Sequence, residues 1–246
     1  MSRVSTTWYS DRVKREVRFA RWGEFGIPVL CFPTAGGDAE EIERMLMVDA
    51  LAPILEAGRI KLYSVDSVSG KAWLGEYNKP PFATRMQTAF DSFLLNEVLP
   101  AIYNDCGGRQ LDVIVAGASL GAYNALAAIC RHPDRFSQAV CLSGTYDLAR
   151  FIEGEVDQDW YHASPLHFVP NLDEGHPQLA ALRTRFVVLA HGRGKWEDGE
   201  ESWRVADVLG ARGVPNRVDE WGPEWDHDWP TWRAMLPHYL DDLVPN

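Results

Sequence analysis

The chain has 246 residues, 46% hydrophobic and 24% charged, a balance that excludes a disordered polymer and is enough to bury a core in one domain. Its net charge of −11 opposes binding to a phosphate backbone or an anionic lipid surface, so neither nucleic acid nor membrane is an expected partner. No run reaches the roughly 18 continuous apolar residues of a membrane span, and the opening MSRVSTTWYSDRVKREVRF has no apolar leader, so a cytoplasmic location is expected.

Residues 3–22 alternate polar and apolar groups, with Val13, Val17 and Phe19 among charges, and predict two antiparallel strands at a sheet edge. Val29–Phe32 has no polar face and reads as a strand buried on both sides. The loop after it, Pro33-Thr34-Ala35-Gly36-Gly37-Asp38, carries glycines that let backbone approach a ligand. Asp38 with Glu41 has capping-box spacing for a following helix. Ile60–Val65 is a weaker strand of the same kind. Residues 83–103 set Met86, Phe90, Leu94, Val98 and Ile102 at helical spacing.

Val113–Ala116 is the next buried strand. Gly117-Ala118-Ser119-Leu120-Gly121 follows it directly and leads into a helix over 120–131, with Leu120, Ala127 and Cys130 on one stripe. Ala139–Leu142 and Phe186–Ala190 are further buried strands. Between them, the less regular segment 145–178 (Asp147, Tyr161, Pro165, Pro170) reads as a cap-like set of short helices and loops above the sheet. Helical patterns over 200–211 and 231–240 flank a last weak strand, Val218–Trp221. Cys31, Cys106, Cys130 and Cys141 sit in apolar runs or at a helix end without CxxC spacing and read as reduced thiols.

Strands alternating with helices imply crossover units and a mainly parallel sheet covered on both faces. With the antiparallel start, the expected class is α/β, a doubly wound sheet of the α/β-hydrolase fold. A serine on a sharp turn between a buried strand and a helix is the context that gives GxSxG its meaning. Ser119 is thus the candidate nucleophile. The Leu120 N–H, at a helix N-terminus, is a candidate oxyanion donor, and the Ala35 or Gly36 amide is the second.

In this fold class the acid and then the histidine follow the serine. His227 lies in Trp221-Gly-Pro-Glu-Trp-Asp-His-Asp-Trp-Pro230, a loop between the last strand and the last helix, and is the candidate base. His238 falls within the helical pattern and suits a structural role. Past Phe186–Ala190, the loop His191-Gly-Arg-Gly-Lys-Trp-Glu-Asp198 offers Glu197 and Asp198. Either could accept the imidazole N–H; Glu197 is preferred, and Asp198 stays open as acid or helix cap. His191, Arg193 and Lys195 line the pocket or stand in solvent. Trp225, Trp229 and Trp232 limit water access or pack the last helix.

On these residues the chain resembles the esterase D-like family of α/β-hydrolases, which includes S-formylglutathione hydrolases, feruloyl-type esterases and bacterial mycolyltransferases. The likeness covers most of the chain, through FPTAGG, GASLGAYNAL, HASPLHFVPNL, GRGKWED and WDHDWPTW. It implies Ser119 as nucleophile, His227 as base, the acid within the GRGKWED loop, and hydrolysis or transfer of an acyl group without a cofactor. Relatives often place the acid a few residues after a single glycine. Here Gly192 and Gly194 both precede Trp196, so the resemblance does not choose between Glu197 and Asp198.

The expected protein is a serine hydrolase of 1–246 acting on a small-molecule carboxylic ester or thioester, with self-association open. Acyl transfer to a sugar or alcohol, and a non-catalytic binding protein of the same fold, are the alternatives. A metal hydrolase built on His191, Asp198, His227 and Asp228 lacks a close-spaced ligand motif, and no metal is expected.

Overall fold

The computed structural model describes residues 2–74, 80–151 and 158–245. The part of the irregular 145–178 segment that covers 152–157 therefore lies outside the described residues. The strands are β1 (Arg3–Ser10), β2 (Arg15–Trp22), β3 (Ile27–Phe32), β4 (Ile60–Val65), β5 (Val113–Ala118), β6 (Phe136–Leu142), β7 (Phe186–His191) and β8 (Asn216–Glu220). Short helices α1 (Glu41–Arg44), α2 (Met47–Ala50) and α3 (Ala52–Glu56) follow β3. After β4 come α4 (Val68–Leu74), α5 (Pro80–Phe93) and α6 (Leu99–Asp105), and α7 (Leu120–Arg131) follows β5. Beyond β6 lie α8 (Gln158–Ala163), α9 (Pro165–Phe168) and α10 (Pro177–Leu182), then α11 (Gly199–Ala211) after β7 and α12 (Trp229–Leu243) after β8.

The strands form one sheet in the order β1-β2-β4-β3-β5-β6-β7-β8. β1 pairs antiparallel with β2, and β2 antiparallel with β4. The pairings from β3 to β8 are all parallel, giving the antiparallel edge and doubly wound remainder of an α/β-hydrolase fold. The alternation of strand side chains builds a core on each face. Val113 and Val115 face one core with Phe90, Val98 and Leu126, while Ile114 and Ala116 face the other with Met235, Leu236 and Leu240. β5 is buried along its whole length, which explains its uninterrupted apolar sequence, and β4 is equally buried although Lys61 and Ser64 interrupt its apolar run. β8, at the far edge, is only half-buried and ends at Glu220, one residue before the expected limit.

The long helical pattern over 83–103 is one rod in three parts: α5, a π turn over Leu94–Val98, and α6. Its anchors recur every fourth residue, and four residues of α-helix overshoot a full turn by about 40°. The stripe would wind steadily off the core, and the wide turn takes up an extra residue and brings most of it back. Pro100 at the start of α6 has no N–H to offer the preceding turn, which favours the same break. Phe90, Leu94, Val98 and Ile102 are all buried as a result.

α7 departs from the expected single stripe. Every residue from Leu120 to Cys130 is buried, because α7 lies on β3, β5 and β6 and is itself covered by α9 and α10. The Tyr123 hydroxyl donates to the Ala163 carbonyl at 2.8 Å, tying α7 to the end of α8. Among the described residues, no helix is long and apolar enough to cross a membrane.

Candidate active site

The chain leaves β3 for β4 on one side and returns across it to β5 on the other. The crevice outside the carboxyl ends of β3 and β5 is therefore a topological switch point, where ligands bind in open α/β sheets. Ser119 follows β5 there, and the 33–38 loop follows β3.

Ser119 has φ 57° and ψ −122°, a conformation that L-residues rarely adopt and that costs on the order of 1–3 kcal/mol. Its surroundings hold it there. The Ser119 N–H donates to the Leu142 carbonyl at 3.0 Å, and its own carbonyl accepts from Ala122 at 3.1 Å and Thr145 at 3.3 Å. The flanking glycines permit the tight bend. A Cβ on Gly117 would lie 2.4 Å from the Gly121 backbone, and one on Gly121 would lie 2.5 Å from the Phe32 carbonyl oxygen. A side chain at either position would thus collide with the neighbouring helix or strand, as the sequence predicts.

The loop after β3 is braced differently from the expected capping box. The residue capping α1 is Glu40, and no side chain caps that helix. The Glu41 carboxylate turns back instead and accepts from the Thr34 N–H at 2.8 Å and the Thr34 hydroxyl at 2.7 Å. Asp38 accepts from the Glu40 N–H and from Arg44, each at 2.9 Å. Glu41 is taken up by the loop and Asp38 by the N-cap amide and the Arg44 side chain, so neither carboxylate serves as its half of a capping box. Among the described residues, the amides of Ala35, Gly36 and Leu120 have no acceptor. Gly36 is exposed, and a Cβ there would meet nothing within 4 Å.

Glu197 and His227 are brought together by two loops that continue the β7–β8 ladder beyond the strands. Trp221 N–H donates to the His191 carbonyl at 2.8 Å, Gly194 N–H to Trp225 at 2.9 Å, and His227 N–H to Lys195 at 3.0 Å. The Lys195 N–H donates to Asp226 Oδ1 at 2.7 Å. Gly192 and Gly194 make this closeness possible, since a Cβ on Gly192 would sit 2.0 Å from the Trp225 oxygen and one on Gly194 2.2 Å from Asp226 Oδ1. The second glycine thus admits the histidine loop.

Glu197 Oε2 lies 3.6 Å from His227 Nδ1, inside ion-pair range and just beyond a hydrogen bond. The Glu197 side chain is only 2% exposed, and among the described residues its buried Oε2 accepts no hydrogen bond. Trp196 before it has φ 62° and is 82% exposed, so the chain reverses between an outward indole and an inward carboxylate. Asp198 is exposed at the N-cap of α11 and makes no capping bond, so of the two candidate acids only Glu197 meets the imidazole. Among the described residues, no hydrogen bond joins the Ser119 hydroxyl to His227.

The remaining candidates disperse. His191 is buried with its Nδ1 on the Gly192 carbonyl at 2.9 Å. Arg193 is exposed and pairs with Glu220 at 3.4 Å, and the Lys195 side chain is exposed. Asp228 caps α12 through the Trp229 N–H at 2.7 Å. His238 is exposed on α12 and edges against Trp221 and Tyr239, a structural setting. All four cysteines are free, and burial with the nearby Glu41 charge pushes the Cys31 thiol up to about 12.

Residues 65–243 match the protein-family model described as "Putative esterase". The chain belongs to this esterase family. It is, by that membership, a carboxylic ester hydrolase. No curated protein matches it in sequence. Its fold is similar to that of a ferulic acid esterase, at TM-score 0.74 and 18% identity over 99% of this chain and 97% of that one. It is also similar to an S-formylglutathione hydrolase from Agrobacterium tumefaciens (TM-score 0.71, 13% identity, 97% and 93% covered). A third similar fold is MPT51 (FbpC1) of Mycobacterium tuberculosis (TM-score 0.74, 17% identity, 99% and 98% covered).

Two side chains that support the esterase's candidate site, Ser143 and Glu201, escaped the sequence reading, which had named Trp232 without its partner. Ser143, after β6, donates to Glu197 Oε1 at 2.6 Å, and Trp232 Nε1 donates to Ser143 Oγ at 3.0 Å. Glu201, buried in the first turn of α11, accepts from the Tyr146 and Asp147 N–H groups at 2.7 and 2.8 Å. The available signals were weak. A Ser-Gly pair ends the β6 run at the level where Gly-Ala-Ser ends β5, and Glu201 stands three residues past the Asp198 cap position.

Proposed function

We propose that the esterase cleaves a carboxylic ester or thioester through an acyl-enzyme on Ser119, within one domain spanning 1–246. His227 acts as base and Glu197 as its carboxylate partner. One observation carries this reading: a buried carboxylate oxygen with no donor among the described residues faces an imidazole nitrogen 3.6 Å away. A buried carboxylate oxygen left without a donor is costly, and an imidazole N–H is the partner that relieves it. Catalytic contacts that are loose in a free enzyme tighten around substrate.

With Nδ1 turned to Glu197, the other ring nitrogen of His227 is left to serve Ser119. As Ser119 Oγ attacks the carbonyl carbon, its proton passes to that nitrogen and the carbonyl π pair moves onto oxygen. The Leu120 amide and the Ala35 or Gly36 amide, each without an acceptor among the described residues, donate to the oxyanion. Collapse breaks the bond to the leaving alcohol or thiol, which takes the proton from His227. Water then gives a proton to His227 as it attacks the acyl carbon, and release of the acid restores the Ser119 hydroxyl.

Ser119→Ala is expected to lower kcat on a p-nitrophenyl ester by about 10⁴–10⁶ with circular dichroism unchanged. A fluorophosphonate probe is expected to label the wild type at Ser119 and leave the variant unlabelled. Retention of more than a few per cent of the rate puts the nucleophile elsewhere.

A further inference from the structure

Ser143 and Trp232 stand behind the acid in an arrangement whose direction is fixed by chemistry. An indole N–H can only donate, so the Trp232 contact at 3.0 Å makes Ser143 Oγ an acceptor. The one hydroxyl proton of Ser143 is then committed to Glu197 Oε1, 2.6 Å away. Ser143 is 3% exposed, Trp232 4%, and the Glu197 side chain 2%, so water does not compete for this relay. The Trp232 ring also meets the His227 ring edge-on at 5.2 Å between centroids, so one indole touches the base and aims the residue behind the acid.

The backbone at Ser143 is built for this direction. Its φ is 45°, in the left-handed region unfavourable to residues with a Cβ, and its N–H is held by the Ala190 carbonyl at 2.7 Å. The preceding residue, Leu142, accepts the N–H of Ser119. A continuous path therefore runs from the nucleophile's backbone through Leu142 and Ser143 to Glu197, and on to His227.

We infer that Ser143, aimed by Trp232, is a positioning residue for the catalytic acid. It occupies Oε1 and leaves Oε2 as the oxygen offered to His227. A carboxyl group free to rotate would present either oxygen and lose alignment with the imidazole. The inference rests on the triad reading above.

The test uses the full chain with Ser143→Gly, Trp232→Phe, Glu197→Gln and the double variant Ser143→Gly/Glu197→Gln. Glycine accepts φ 45° without penalty, so Ser143→Gly removes the hydroxyl without adding backbone strain. Misplacing a catalytic group by about 1 Å costs on the order of 100-fold. Ser143→Gly is accordingly expected to lower kcat by about 10–100-fold with KM nearly unchanged, and to lower the thermal midpoint because the Trp232 N–H and Glu197 Oε1 lose their shared partner. Trp232→Phe, which keeps a ring against His227, is expected to lower kcat less. The double variant is expected to be no slower than Glu197→Gln alone, because Ser143 acts only through the carboxylate.

Full activity in Ser143→Gly beside a crippled Glu197→Gln overturns the positioning role and leaves the triad standing. Full activity in both overturns the triad assignment. A loss in Ser143→Gly that multiplies with that of Glu197→Gln shows Ser143 acting elsewhere and also overturns the inference.

Discussion

At the scale of single residues, the site stores strain where the chemistry is proposed. Ser119, Ser143 and Trp196 all have positive φ, and each lies at or beside a candidate functional group. A bend held against its own preference is released by glycine. Ser119→Gly is therefore expected to exceed Ser119→Ala in stability by about 1 kcal/mol, since alanine keeps the Cβ that the conformation disfavours. Urea midpoints of the two inactive variants give the comparison. Equal midpoints would mean that the bend at 119 costs nothing.

At the scale of elements, the proposed base depends on how closely two loops approach. The 192–197 and 221–228 segments zip together by backbone bonds, and Gly192 leaves room for Trp225 with no space for a methyl group. Gly192→Ala is expected to push the histidine loop away from Glu197, lowering kcat by roughly 100-fold and KM little, with a stability loss of about 1–3 kcal/mol. Steady-state kinetics and a thermal melt check both. An unchanged kcat would show that the His227 loop can shift without consequence. The GRGKWED spacing left the acid open because glycine placement reports backbone clearance and says nothing of which carboxylate turns inward. That choice was made by Trp196, whose left-handed backbone sends Glu197 one way and the indole the other.

At the scale of the whole molecule, a charged cluster links sheet and helix rod. Asp105 at the end of α6 accepts from Lys61 Nζ at 2.7 Å and Tyr63 Oη at 2.8 Å, with Arg21 at 3.6 Å. Partial burial would raise its carboxyl, but these hydrogen bonds and the Lys61 and Arg21 charges outweigh it and hold the group below the ordinary carboxylate range. A lowered folded-state value means stability that is complete above the unfolded carboxylate value, about 3.9, and is lost as pH falls through the folded one. Asp105→Asn is expected to be less stable than the wild type at pH 6, with the gap closing as pH drops from about 4 toward 2. Urea unfolding across that range reads the gap. A gap that stays constant would remove Asp105 from the acid sensitivity.

The elements of this protein were legible in its residues because each strand and helix announces itself locally. The two-sided apolar runs from Val29 to Ala190 predicted buried parallel strands, and Gly-Ala-Ser-Leu-Gly between β5 and α7 predicted a crowded turn, since both follow from spacing along the chain alone. The π turn in the long rod, the failure of Asp38 and Glu41 to cap α1, and the Ser143 relay were not legible. Each depends on what lies opposite: a core stripe to be followed, a Thr34 amide that takes up Glu41, an indole from α12. Periodicity and motif are one-dimensional properties and belong to the sequence. Which carboxylate meets the imidazole, and what holds it there, is decided only when segments distant in the chain compete for the same hydrogen bonds.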